Sequence, residues 1–232
     1  MLVEARFHGP DNSGNGGYVA GLLASEVAAE VTRVALRLPP PLETELRVTD
    51  EDGARGHLKL WDGENLVAEA RSDAFSVEPV PAVAPEAATR AAEKFNAGGD
   101  HPFPRCFVCG PERAHGDGMR LAPGPVDGLD GTVACTWTPW NDPTPALVWA
   151  ALDCPGGWAF DPAGSRPAVL GTMTAQVHRL PEAGEPCVAV GVARARQGRK
   201  MFAGSAVYGA DGTLVGRAEQ IWVEVDPARF GG

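Results

Sequence analysis

The twelve residues RLPPPLETELRV at 37–48 recur in weakened form as RLPEAGEPCVAV at 179–190, with Arg-Leu-Pro identical and a Glu shared at positions 43 and 185. Downstream, DGENLVAEA (62–70) matches DGTLVGRA (211–218) after one gap, and upstream YVAGLLASEVA (18–28) falls over the apolar stretch VWAALDCPGGWAF (148–160). Three weak matches in the same order constrain the architecture more than any one of them, because a repeated unit must fold twice in the same way. They define a duplicated unit of about 100 residues, the size of a small domain. Between the copies runs VEPVPAVAPEAATRAAEKFNAGGDHPFPR, rich in Pro and Ala, which reads as a linker carrying a short helix around residues 86–96. The sequence therefore divides into a first repeat at 1–80, a linker at 81–100 and a second repeat at 101–232.

Within each copy the order of patterns is the same. A turn containing Gly or Pro opens a helix, and alternating segments follow. In the second copy these are TMTAQVHRL, PCVAVGVARAR, KMFAGSAVYGA and LVGRAEQIWVEV, separated by EAGE, QGR and ADGT. Asp-Gly before Leu-Val is a strong hairpin signal. One helix followed by an antiparallel meander, twice, predicts an α+β fold in which a sheet wraps one helix per copy.

Composition excludes several classes of function. The formal charge of −10 is spread along the chain and disfavours nucleic-acid binding, which needs a basic face. No apolar run approaches the length of a membrane span, and MLVEARFHGP lacks the basic-then-apolar order of a signal peptide, so a cytoplasmic protein without membrane contact is expected. The five cysteines, at 106, 109, 135, 154 and 187, are an odd number in such a chain and read as free thiols. Cys106-x-x-Cys109 is half of a zinc knuckle with His115 within reach, but no second pair in the sequence completes it, so neither metal nor other cofactor is expected.

With this order and spacing, NGGYVAGLLA, LRLPPPL, GRKMFAGSAVYGADGTLVGRAEQ, and CFVCG with GDGMRL together resemble the double hot-dog acyl-CoA thioesterases, over nearly the whole chain. The resemblance implies two helices back to back inside one continuous sheet, each long helix wrapped by antiparallel strands. It implies an acyl-CoA or other acyl thioester as the partner, bound between the two repeats. Self-association through sheet faces or edges is allowed, to a homo-oligomer whose order the sequence does not set.

That frame gives the one carboxylate of the apolar helix a use. Hydrolysing a thioester requires water or a carboxylate delivered to the carbonyl, and Asp153 is suited to either role. The matched position in the first copy is Ala24, which leaves one catalytic centre. The competing reading is that Asp153 caps the CPGGW turn, although an acid near a helix C-terminus opposes the dipole. Gln220 in the last strand alternates onto the face of Ala218 and Trp222, where it either orients water or bonds to backbone. The resemblance to acyl-CoA thioesterase II implies an Asp, a Thr and a Gln acting together; Asp153 and Gln220 match, and Thr172 is the candidate Thr, with Thr174 sharing its face. Gly16 and Gly17 open the first helix and offer backbone N–H groups to an oxyanion. Arg194, Arg196, Arg199 and Lys200 cluster in one hairpin and are the candidate coenzyme A phosphate site. Asp153 has no histidine close behind it, which weakens a dehydratase reading, and no G-x-S-x-G elbow supports a serine hydrolase. A hot-dog protein that binds an acyl thioester without cleaving it is the alternative.

Overall fold

A computed structural model describes residues 1–96, 101–141, 143–161 and 164–225. Residues 97–100 of the expected linker and 226–232 of the expected second repeat lie outside the described residues.

The first half contains α1 (Gly16–Ala24) and strands β1 (Thr32–Leu36), β2 (Arg47–Asp50), β3 (His57–Asp62) and β4 (Asn65–Ser72). The segment between the halves carries α2 (Pro85–Ala92). The second half contains β5 (Gly124–Pro125), β6 (Thr132–Trp137), α3 (Pro145–Trp158), β7 (Ala168–Val177), β8 (Cys187–Gln197), β9 (Lys200–Gly209) and β10 (Leu214–Glu224). All ten strands form one sheet in the order β2-β3-β4-β1-β7-β10-β9-β8-β6-β5, and every pairing is antiparallel.

Outward from the centre, β1-β4-β3-β2 and β7-β10-β9-β8 repeat the same order. β1 pairs with β7 through Val34 opposite Met173, so each half lends the other an edge that would otherwise stand unpaired. The matched sequence segments fall at equivalent places: Arg37 and Arg179 follow β1 and β7, and Asp62-Gly63 and Asp211-Gly212 turn into β4 and β10.

α1 and α3 lie against the inner face of this sheet and cross each other. Asn15 caps α1, its Oδ1 accepting from Tyr18 N–H at 2.9 Å, and Thr144 caps α3 ahead of Pro145 at the first helical position. The crossing is close because α1 presents Gly17 and Gly21, one turn apart. A Cβ on Gly17 would lie 2.4 Å from the Asp153 Cβ, and one on Gly21 2.7 Å from the Ala146 Cα. Val19, Leu23, Val148, Leu152 and Met173 are fully buried around this contact, each contributing roughly 1.5–3 kcal/mol. The outer face of the second half is covered by the segment that follows β4: Val80, Val83, Ala88 and Ala91 pack on Val126, Ala134, Val188 and Val190. Among the described residues no helix is long and apolar enough to cross a membrane.

Candidate active site

α3 carries Asp153 five residues before its last residue, facing α1 rather than solvent. Its Oδ2 accepts from the Gly17 N–H at 2.9 Å and from Asn15 Nδ2 at 3.0 Å. The two helices run in opposite directions, so an acid that opposes the dipole of its own helix sits at the positive end of the other. Its Oδ1 is buried and has no partner among the described residues. Burial raises the carboxyl to about 7, against the lowering effect of the Gly17 and Asn15 hydrogen bonds.

Asp153 lines a cavity of about 230 Å³. Its walls come from the loop before α1, the LRLPP segment after β1, the start of β7 and the end of β10. Leu36, Leu38, Leu170 and Trp222 make the lining mainly apolar, with Asn15, Arg37 and Cys106 among its polar members. Gly16 lines it too. Its N–H, at the first position of α1, has no acceptor among the described residues, whereas the Gly17 N–H is held by Asp153. Of the two N–H groups expected as oxyanion donors, only that of Gly16 is uncommitted among the described residues.

Gln220 reaches α3 but not the carboxylate. Its Nε2 donates to Leu152 O at 2.6 Å and to Asp153 O at 3.3 Å, and its Oε1 accepts from Trp222 Nε1 at 3.0 Å. Ser205 Oγ also donates to Leu152 O, at 2.6 Å. Pro155 inside the helix has no N–H for the Ala151 carbonyl one turn back, and the Leu152 carbonyl beside it is the one that both sheet side chains meet. A Cβ on Gly156 would stand 1.6 Å from Gln220 Oε1, so the glycine makes room for this amide. Of the two roles open to Gln220, the hydrogen bonds are those of the backbone-bonded amide.

Thr172 faces away from the site. It is opposite Ala35 on β1 and Ile221 on β10, the face on which Thr174 Oγ1 donates to Asp73 at 3.1 Å. Met173, opposite Gln220, faces inward. A bulge at Gly171 causes this: Trp222 pairs with Leu170 but Ile221 with Thr172, so the alternation slips by one residue between Leu170 and Met173.

The basic hairpin is divided. Arg194 donates to Glu78 O, in the segment after β4 on the outer face, Arg196 pairs with Glu224, and Arg199 donates to Glu224 O. Lys200 is opposite Val223, a residue of the cavity rim, but none of the four cations lines the cavity itself.

Two residues beside Asp153 escaped the sequence reading. Asn15 caps α1 through its Oδ1, and the crossing of the helices turns its Nδ2 onto Asp153. Cys154 follows Asp153 on α3, and its Sγ, Cys106 Sγ and Cys109 Sγ all lie within 4.8 Å of one another. Hydrogen bonds from the Cys109 and Cys154 thiols hold Cys106 well below the ordinary thiol range and raise those two above it. His115 is exposed and outside this cluster.

Comparison with solved structures defines the class of the fold: this is the double hot-dog fold. A hot-dog protein from Alicyclobacillus acidocaldarius superposes with a TM-score of 0.63 and 16% identity, over 97% of this chain and 92% of that one. The acyl-CoA thioesterase II TesB2 of Mycobacterium marinum gives 0.57 and 13%, over 98% and 93%, and a tesB protein of Mycobacterium avium subsp. paratuberculosis gives 0.60 and 16%, over 94% and 89%. No protein-family model matches the chain, and no curated protein does either.

Proposed function

We propose that the protein hydrolyses the thioester of an acyl-CoA or a related acyl carrier, with Asp153 as general base. The observation that carries this reading is the carboxylate itself, pinned at Oδ2 by two N–H donors and left without a partner at Oδ1, in an apolar cavity between the two repeats. The apolar walls suit an acyl chain. Oδ1 would take a proton from water as the water oxygen adds to the thioester carbon; the Gly16 N–H would stabilise the oxyanion, and collapse would break the C–S bond and release the thiol. A carboxyl lifted toward neutrality is a stronger base than a solvated one, while still ionised in part at pH 7. The acyl-CoA thioesterase II among the solved structures of the same fold points the same way.

One observation favours a protein that binds without cleaving: the Gly17 N–H is committed to Asp153, which leaves the oxyanion fewer backbone donors. Thiol release from acyl-CoAs of several chain lengths decides between the readings. Turnover that disappears in Asp153→Asn supports hydrolysis, whereas affinity without thiol release at any chain length supports binding, and turnover unchanged in that variant overturns the role of Asp153.

A further inference from the structure

We propose that Cys106, Cys109 and Cys154 together form a three-thiolate site for one zinc ion. The proposal is independent of whether the neighbouring cavity cleaves a thioester. Two segments far apart in the sequence meet there: the Cys106-x-x-Cys109 turn that opens the second half, and α3 through Cys154. Their three sulfur atoms lie within 4.8 Å of one another. A tetrahedral zinc with bonds of about 2.3 Å sets its sulfur ligands roughly 3.8 Å apart, so little movement separates this arrangement from a ligand set.

The surroundings suit bound thiolates. The turn wraps closely around Cys106: Gly110 N–H donates to Cys106 O at 2.9 Å, and a Cβ at Gly110 would come within 2.5 Å of the Cys106 backbone. Asn15 Nδ2 points at Cys106 Sγ from 3.9 Å, the weak N–H···S contact that an anionic sulfur strengthens. His101 lies beside Cys106 and Cys109. Its Nδ1 accepts from Phe103 N–H at 3.0 Å, which places the proton of the neutral ring on Nε2. That nitrogen is buried without a partner among the described residues and lies outside the cluster of three sulfur atoms, so it is not counted as a fourth ligand.

Cys106 and Cys154 both line the cavity, which leaves the fourth position of the metal to solvent from that side. Three thiolates are too few for an iron–sulfur cluster of the usual four-cysteine kind, and soft sulfur donors discriminate against magnesium and calcium. Packing alone explains the site less well, because the other two cysteines, Cys135 and Cys187, are buried without belonging to such a cluster.

The test uses the full chain, purified under reducing conditions. Elemental analysis should find about one zinc per chain. After metal removal, titration with Co²⁺ should produce intense sulfur-to-metal charge transfer and tetrahedral visible bands that saturate at one equivalent, and Zn²⁺ should bleach them. Cys109→Ser and Cys154→Ser should weaken Co²⁺ binding by on the order of tenfold or more, whereas Cys135→Ser and Cys187→Ser should leave it unchanged. Should the cluster variants fail to fold, the native chain still decides: added Zn²⁺ must raise the unfolding temperature of the metal-free protein. The absence of a stoichiometric cobalt spectrum in the reduced native chain, copper in place of zinc, or equal loss in the Cys135→Ser control overturns the proposal.

Discussion

The two central helices occupy equivalent places in the two repeats and have diverged to complementary chemistry. α1 is short, with glycine at 17 and 21, and offers backbone: an open N-terminus and a surface without side chains. α3 is longer, runs on through Pro155, and carries side chains: Asp153 toward α1 and Cys154 beside it. Neither helix makes the site alone. The glycines matter because they bring the donor end of one helix within hydrogen-bonding distance of the acid on the other. A duplicated fold can therefore build one asymmetric site by emptying one copy and loading the other.

Removing the loaded side breaks this comparison most severely. Asp153→Asn should lower thiol release by about 10²–10⁴-fold while acyl-CoA affinity persists, as steady-state turnover and equilibrium binding would show. The same substitution sharpens the energetic side. In the folded chain Asp153 is raised to about 7 from an ordinary value of 3.8, so below the lower value both states are protonated and nothing is lost. Between the two values the unfolded chain ionises first, and stability falls as pH rises toward 7. In metal-free protein, Asp153→Asn should therefore unfold at higher denaturant than the native chain above pH 7, with the gap closing toward pH 4. The upper bound is about 4 kcal/mol, from roughly three pKa units at 1.36 kcal/mol each.

The empty side can be broken as well. Gly17→Ala adds a methyl where 2.4 Å separates its position from the Asp153 Cβ, and should cost about 1–3 kcal/mol by thermal or denaturant unfolding. Smaller effects belong to the outer hairpins, where the halves also differ. The β2–β3 turn carries Asp50, Glu51 and Asp52, and its counterpart between β8 and β9 carries Arg196, Arg199 and Lys200. If the latter attracts coenzyme A phosphates, neutralising Arg199 and Lys200 should raise the KM for acyl-CoA about threefold to tenfold, with less effect on a short thioester lacking the nucleotide. Equal changes for both substrates would assign the hairpin to the fold. Least of all should change with Thr172→Val, on the outer face, where turnover should stay within about twofold of the native value.

Much of the architecture was legible because it follows from periodicity and repetition. Alternation in β10 puts Ala218, Gln220 and Trp222 inward, and all three are buried. Thr172 was not legible: one unpaired residue at Gly171 reverses every face beyond it, and no local pattern signals the bulge. Gln220 was half legible, since its need for a partner follows from burial but the partner, the Leu152 carbonyl of α3, follows from how that helix packs on the sheet.

By itself, then, the sequence determined the duplication, one helix and one meander per copy, and the singular acid at 153, because hydrophobic period and turn chemistry act over a few residues. The tertiary structure alone decided what surrounds that acid. Asn15, Gly17, Cys106 and Cys154 come together only when two glycines let the helices cross, and hydrogen bonds and thiol clusters formed across more than 40 residues leave no trace in local spacing.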